Sequence, residues 1–271
     1  MTSGRPLSSV LRLLCPALLL SAPITAIAAQ AVVPAPSEAL GITVGADRTL
    51  ADWPQITRYF GTLAQRSPSV KLDTIGTTTQ GRPLIVAAIS TPENIRRLDA
   101  ILAVQKRLAD PRTLSAAAED SLVASSPTVI WINCNLHSTE IASSQMAMEL
   151  AHALVTTDSL QQSLKNVVVL LVPSANPDGM QMITEWYRKG LGTPFEGGAM
   201  PWLYHEYVGH DNNRDWYMVT QKETRAISAA LYTKYFPQVF YDVHQQGSTG
   251  MRLTVPPHID PINQNVDVRI V

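Results

Sequence analysis

His137 and Glu140 are the first residues of this chain whose types and spacing could do chemistry. They stand in WINCNLHSTEIASS, residues 131–144. An imidazole and a carboxylate three residues apart can converge on one metal ion, because positions i and i+3 share a face once a helix begins. The pair is weak on its own. With six His and nine Glu in the chain, an H-x-x-E is expected about 0.2 times by chance. A polar loop is the competing reading, since a lone His is more often a satisfied structural residue than a ligand. A metal site also needs a third ligand from elsewhere, with an open position for water if it is catalytic.

Two other chemistries fail on spacing. His205-Glu206-Tyr207-Val208-Gly209-His210 has one residue too many for an H-E-x-x-H zinc helix. At i and i+5 the two histidines fall on different sides of a helix, and Gly209 weakens the helix itself. Gln246-Gly247-Ser248-Thr249-Gly250 lacks the G-x-S-x-G frame of a nucleophile elbow.

The elements that must position His137 follow from periodicity. Residues 52–66 are helical. Residues 70–75 and 84–90 are strand-like and joined by a hairpin-type connection over 76–82, with glycines near both ends. The spacing of Ile95, Leu98, Ile101, Leu102 and Leu108 predicts one helix over 92–108. Residues 116–126 read as helix then loop, 128–134 as strand and 140–155 as helix. NVVVLLVP, 166–173, is the fully apolar strand of a buried parallel sheet. A short helix at 181–189, a loop over 190–209, a helix over 222–235 and a strand at 238–243 complete the pass. Strand alternating with helix predicts an α/β fold: a mixed, mostly parallel sheet with helices on both faces. Such sheets bind ligands beyond the C-terminal ends of their strands. His137 follows the 128–134 strand, Asn176-Pro177-Asp178-Gly179 follows the 166–173 strand, and His244 follows the 238–243 strand.

Bulk properties narrow the class. The chain has 271 residues, 45% hydrophobic and 16% charged, with a formal net charge of -1. That is globular composition, and it points to neither nucleic acid nor an anionic membrane as a partner. Arg5 and Arg12 precede an apolar stretch ending in Ala26-Ile27-Ala28, which reads as a secretory signal peptide over 1–28. The stretch is too short, and too broken by Pro16 and Pro23, for a membrane span. No stable membrane anchor is expected after cleavage, and the expected location is secreted or periplasmic. Residues 29–49 read as a linker or extended arm. After cleavage one cysteine remains, Cys134, most simply a small buried residue.

Five segments together resemble a family. IGTTTQGRPL, NLHSTE, PSANPDGM, HDNNRDW and YDVHQQG are similar, in order, to segments of the zinc metallocarboxypeptidases of the carboxypeptidase A type, the M14 peptidases. The likeness is greatest to their large secreted bacterial branch, and it covers roughly residues 50–258. It implies that His137, Glu140 and His244 bind one Zn2+. It implies that Asn213 and Arg214 grip the terminal carboxylate of a peptide or cell-wall peptide. A planar guanidinium does this with two charge-assisted hydrogen bonds. Asp211 matches an acid that orients a zinc-bound histidine, and Arg188 sits near the place of the oxyanion-stabilising arginine. Asn176-Pro177-Asp178-Gly179 is a good turn by its own chemistry. Asp242 shares a strand face with His244 by period two. It either supports that histidine or caps the sheet end.

The resemblance also shapes expectations about completeness. In the family the general base is a Glu downstream of the third zinc ligand, and beyond His244 this sequence has Asp260 and Asp267 but no Glu. The expectation is an incomplete catalytic domain over 50–271, truncated at its C-terminus and with little activity alone. Two alternatives stay open. One is an amide deacylase on the same scaffold. The other is a non-catalytic module that keeps the zinc and the carboxylate clamp.

Overall fold

The computed structural model describes residues 32–246, together with Met1 and Gly4. The expected signal peptide lies outside the described residues. Of the two units into which the chain divides, Met1–Gln30 and Ala31–Val271, the second carries the elements below.

In chain order these are α1 (Pro36–Leu40), α2 (Trp53–Arg66), β1 (Val70–Thr77), β2 (Pro83–Ile89), α3 (Pro92–Arg96), α4 (Leu98–Ala109), α5 (Ala116–Ser125), β3 (Thr128–Cys134), α6 (Ala142–Thr156), α7 (Asp158–Ser163), β4 (Val167–Val172), α8 (Pro177–Gly190), α9 (Lys222–Ala229) and β5 (Val239–Val243). No helix among the described residues is long and apolar enough to cross a membrane.

The five strands form one sheet in the order β1-β2-β4-β3-β5. β1 and β2 are the expected hairpin, and β2 pairs antiparallel with β4. β3 runs parallel to both β4 and β5. The sheet is therefore mixed, with its parallel part in the half that carries the site. Alternation along β4 splits the core in two. Val169 and Leu171 join α2 and α6 on one face, through Phe60, Leu63, Met148 and Ala151. Val168, Leu170 and Val172 join α4 and α9 on the other, through Ile101, Leu102 and Ile227. Both faces of β4 are buried, which is why its sequence is apolar without a break.

Several boundaries differ from the sequence expectation, each for an identifiable reason. The 92–108 helix breaks at Arg97. Asn94 turns inward, and its amide donates to the Ser90 hydroxyl and to the Leu164 and Lys165 carbonyls. The 29–49 segment is not wholly extended: α1 forms within it and buries Leu40 against the core, with Val33, Ile42 and Val44 packed alongside. The Asn176–Gly179 segment is not a free turn but the first turn of α8, longer at its N-terminus than expected. Asn176 caps it by accepting from the Gly179 N–H at 2.9 Å, and Pro177 occupies the first helical position. The 140–155 helix begins two residues late, which decides how the His137–Glu140 pair is held. The Cys134 thiol is fully buried, and burial followed by the charge of Asp242 pushes it up to about 12.

Candidate metal centre

Because β3, β4 and β5 run parallel, the loops at 135–141 and 173–176 and the residues after Val243 leave one edge of the sheet. His137 and Glu140 lie in the first of these, ahead of α6 rather than on it. A tight turn joins them, with the Glu140 N–H donating to the His137 carbonyl at 3.1 Å. Asn135 shapes the loop. It adopts a left-handed φ of 50°, and its side-chain amide donates to the carbonyls of His137 (3.1 Å) and Glu140 (3.2 Å). A short polar side chain is one of the few that tolerate this backbone conformation.

His137, Glu140 and His244 each offer a ligand atom, and these atoms lie within 4.8 Å of one another. His137 Nδ1 is 2.9 Å from Glu140 Oε1, and His244 Nδ1 is 3.0 Å from Glu140 Oε2. The far nitrogens also face carboxylates: His137 Nε2 is 3.0 Å from Asp211 Oδ1, and His244 Nε2 is 3.1 Å from Asp242 Oδ2. A carboxylate on each Nε2 favours a proton there and leaves Nδ1 as the donor atom. Burial alone would lower the His137 pKa, but Glu140 and Asp211 outweigh it and raise it above its ordinary value. Burial would raise Glu140, but the hydrogen bond and charge of His137 hold it below the usual range. Two imidazoles turned by their Nδ1 atoms toward one carboxylate are a donor set suited to Zn2+.

Asp211 and Asn213 sit on a short 3-10 turn, Asn212–Arg214. Asp211 caps it, its Oδ1 accepting from the Asn213 N–H at 2.8 Å as well as facing His137. Asn213 Nδ2 reaches to 3.5 Å from His244 Nε2, and its Oδ1 accepts from the Trp216 indole at 3.1 Å. Arg214 is exposed, and among the described residues its guanidinium makes one long contact, 3.4 Å, to the carbonyl of Asn213. A groove of about 660 Å³, lined by Trp216, Leu231, Tyr232 and Phe240 among others, borders Asn213 and Asp242.

The structure does not bring Arg188 into this cluster. Arg188 lies near the far end of α8, roughly 18 Å along the helix axis from the Asn176 cap at 1.5 Å per residue. Its guanidinium donates to the Asp52 carboxylate (2.7 Å), the Leu50 carbonyl (2.9 Å) and Gln55 (3.2 Å). It ties α8 to the start of α2, in place of the oxyanion position expected for it. His205 and His210 also stay apart from the cluster. Each approaches Gln221, at 2.8 Å and 3.4 Å.

One residue of the site carried no signal in the sequence. Tyr204 stacks on His137 with ring centroids 4.5 Å apart and 26° between planes. Burial raises its phenol pKa first, the charges of Asp211 and Glu140 raise it further, and Arg214 pulls it back. Asp242 was visible through its period-two relation to His244. Its orientation is set by Asn133, fully buried on β3, whose amide donates to Asp242 Oδ1 at 2.8 Å.

Comparison with known proteins bears on this site. Residues 56–245 match the family described as zinc carboxypeptidase. No curated protein sequence matches the chain. Among solved structures, a metallo-carboxypeptidase from Burkholderia cenocepacia aligns at 17% identity with a TM-score of 0.48, over 73% of this chain and 42% of that one. Carboxypeptidase A from Helicoverpa armigera aligns at 16% identity with a TM-score of 0.47, over 82% of this chain and 50% of that one. The chain thus spans half or less of the length of these solved structures.

Proposed function

The chain belongs to the zinc carboxypeptidase family, and from that premise we propose that His137, Glu140 and His244 hold one zinc ion in a secreted metallocarboxypeptidase that removes residues from peptide C-termini. The observation that carries this reading is the convergence of the two Nδ1 atoms on Glu140, with the exposed Arg214 on the turn that Asp211 caps. When bound, zinc supplies a Lewis acid for the scissile carbonyl and an acidified water. The chain's own residues do the rest. Asp211 and Asp242 hold the Nε2 protons and keep each imidazole in the tautomer that presents Nδ1. Arg214, with Asn213, takes the terminal carboxylate in a two-bond fork and so selects chain ends over internal peptide bonds. With Glu140 engaged as a ligand, proton transfer falls to a carboxylate outside the cluster. The substrate is a peptide or a cell-wall peptide, and the 1–28 segment directs export.

Elemental analysis of the purified chain tests the metal centre. One zinc per chain is expected for the wild type and none for His137→Ala or His244→Ala; equal zinc in all three overturns the assignment. Assay of the whole protein on peptides with free and amidated C-termini tests the clamp. Cleavage of the free form alone is expected, and indifference to amidation would favour an amide deacylase instead. Fractionation of expressing cells tests export.

A further inference from the structure

We propose that Tyr204 is a positioning residue of the metal centre. On this reading its ring fixes the plane of the His137 imidazole, and the Asn176-Pro177-Asp178-Gly179 segment exists in part to hold it there. The proposal rests on the zinc reading above. His137 is gripped at its two nitrogens, by Glu140 at 2.9 Å and Asp211 at 3.0 Å. Contacts at opposite edges of a ring set its direction in the plane but resist tilting weakly. The His244 ring, 4.8 Å away, is tilted by 46° and offers no parallel face; the Tyr204 ring at 4.5 Å and 26° is the flatter surface that restrains tilting.

Among the described residues Tyr204 is held through its backbone. Its carbonyl accepts from Asn176 Nδ2 at 3.0 Å. The same carbonyl presses on Gly179 so closely that a Cβ there would lie 2.2 Å from the oxygen. Gly179 is thus required by the approach of Tyr204, and Asn176 both caps α8 and anchors Tyr204. Three residues on, the loop is tied again. The Tyr207 hydroxyl lies 3.0 Å from Asp178 Oδ2 and 3.0 Å from Glu223 Oε1. Asp178, almost fully buried, also accepts from Thr78 (2.7 Å), Arg82 (2.7 Å) and the Gln80 N–H (2.9 Å), which links this loop to the β1–β2 hairpin. Between them these contacts make the loop around Tyr204 a fixed wall rather than a free flap.

The test uses the purified chain stripped of metal and titrated with zinc against a chromophoric chelator. A second readout is the visible spectrum of the cobalt(II)-loaded chain, which reports ligand geometry. Tyr204→Phe keeps the flat face and should bind zinc within about twofold of wild type with the same cobalt spectrum. Tyr204→Ala should bind roughly tenfold more weakly, in the range typical for lost support behind a metal ligand, with a changed spectrum. Tyr204→Leu, which keeps bulk but not flatness, should resemble Tyr204→Ala and decides the matter if the alanine variant fails to fold. Wild-type affinity and spectrum in Tyr204→Ala or Tyr204→Leu would overturn the proposal, as would a loss in Tyr204→Phe equal to that in Tyr204→Ala. A wild-type chain without stoichiometric zinc would instead overturn the metal reading, and the proposal with it.

Discussion

Asp211 and His137 meet through a single oxygen: Asp211 Oδ1 stands 3.0 Å from His137 Nε2 and also accepts the Asn213 N–H at 2.8 Å. The support for one of the two histidines proposed to hold zinc and the cap of the turn carrying Asn213 and Arg214 are therefore the same atom. A shift of that turn moves the histidine's partner, and loss of that partner loosens the turn.

Removing this oxygen should affect both parts. Asp211→Ala is expected to weaken zinc binding about 10–100-fold and to weaken binding of a peptide with a free C-terminus beyond what zinc loss accounts for. Zinc titration, followed by peptide binding at saturating zinc, separates the two effects. Asp242→Ala removes the equivalent partner of His244, 3.1 Å away. It should lower zinc affinity by a similar factor while leaving the Asp211 cap of the Asn213–Arg214 turn in place.

Among the described residues the exposed Arg214 guanidinium makes one long contact, to the carbonyl of its own neighbour, so its removal should cost little stability. Arg214→Lys keeps the charge but loses the planar fork. Affinity for a free-carboxylate peptide should fall roughly tenfold or more, with zinc content and thermal midpoint unchanged. Binding of an amidated peptide should not change. Isothermal titration with the two peptides checks this, and an equal loss for both would remove the clamp assignment.

Gly179→Ala places a methyl 2.2 Å from the Tyr204 carbonyl and 2.4 Å from Asn176 Nδ2. Neither neighbour can yield without giving up the α8 cap or the Tyr204 anchor. A loss of about 1–3 kcal/mol is expected, as for overpacking elsewhere, read as a lower midpoint in chemical denaturation. Gly61, half-buried in α2 with open space where a Cβ would sit, is the control: Gly61→Ala should stabilise slightly.

Asp215 should make stability depend on acid. Its carboxylate is fully buried and accepts from the Thr220 and Thr224 hydroxyls and from the Thr220 and Gln221 N–H groups, at 3.0 and 2.9 Å for the latter two. Burial would raise its pKa, but these bonds outweigh it and hold the folded value below the ordinary aspartate range. A depressed carboxylate contributes its full stability above the unfolded value and loses it as the pH falls through the folded one. Asp215→Ala should therefore cost about 2–3 kcal/mol at neutral pH, hydrogen bonds to a charge being the stronger class. The gap to wild type should narrow below about pH 3.8. Urea denaturation at pH 7 and pH 3 measures it, and a gap independent of pH would contradict the assignment.

Most of the scaffold was legible because it obeys short-range periods. The apolar run at 166–173 became β4 because both of its faces are buried. The spacing at 92–108 marked helix correctly. It could not show the break at Arg97, which comes from Asn94 reaching carbonyls about 70 residues away. The placement of His137, Asn176 and His244 after three strands was legible for the same reason: a change of period marks a strand end, and parallel strands bring their ends to one edge.

Sequence by itself thus determined the order of the five strands and the longer helices, the edge at which the site must lie and the residue types that gather there. Tertiary structure alone decided how those residues are aimed. It turned both histidines by Nδ1 toward Glu140 because Asp211 and Asp242 wait behind them. It sent Arg188 to Asp52, more than a hundred positions earlier in the chain, and brought Tyr204 over His137 from a loop with no period at all. Periodicity is a property of neighbours along the chain. The direction of a side chain at a loop is fixed by partners that only the path of the folded backbone brings within 3 Å or so.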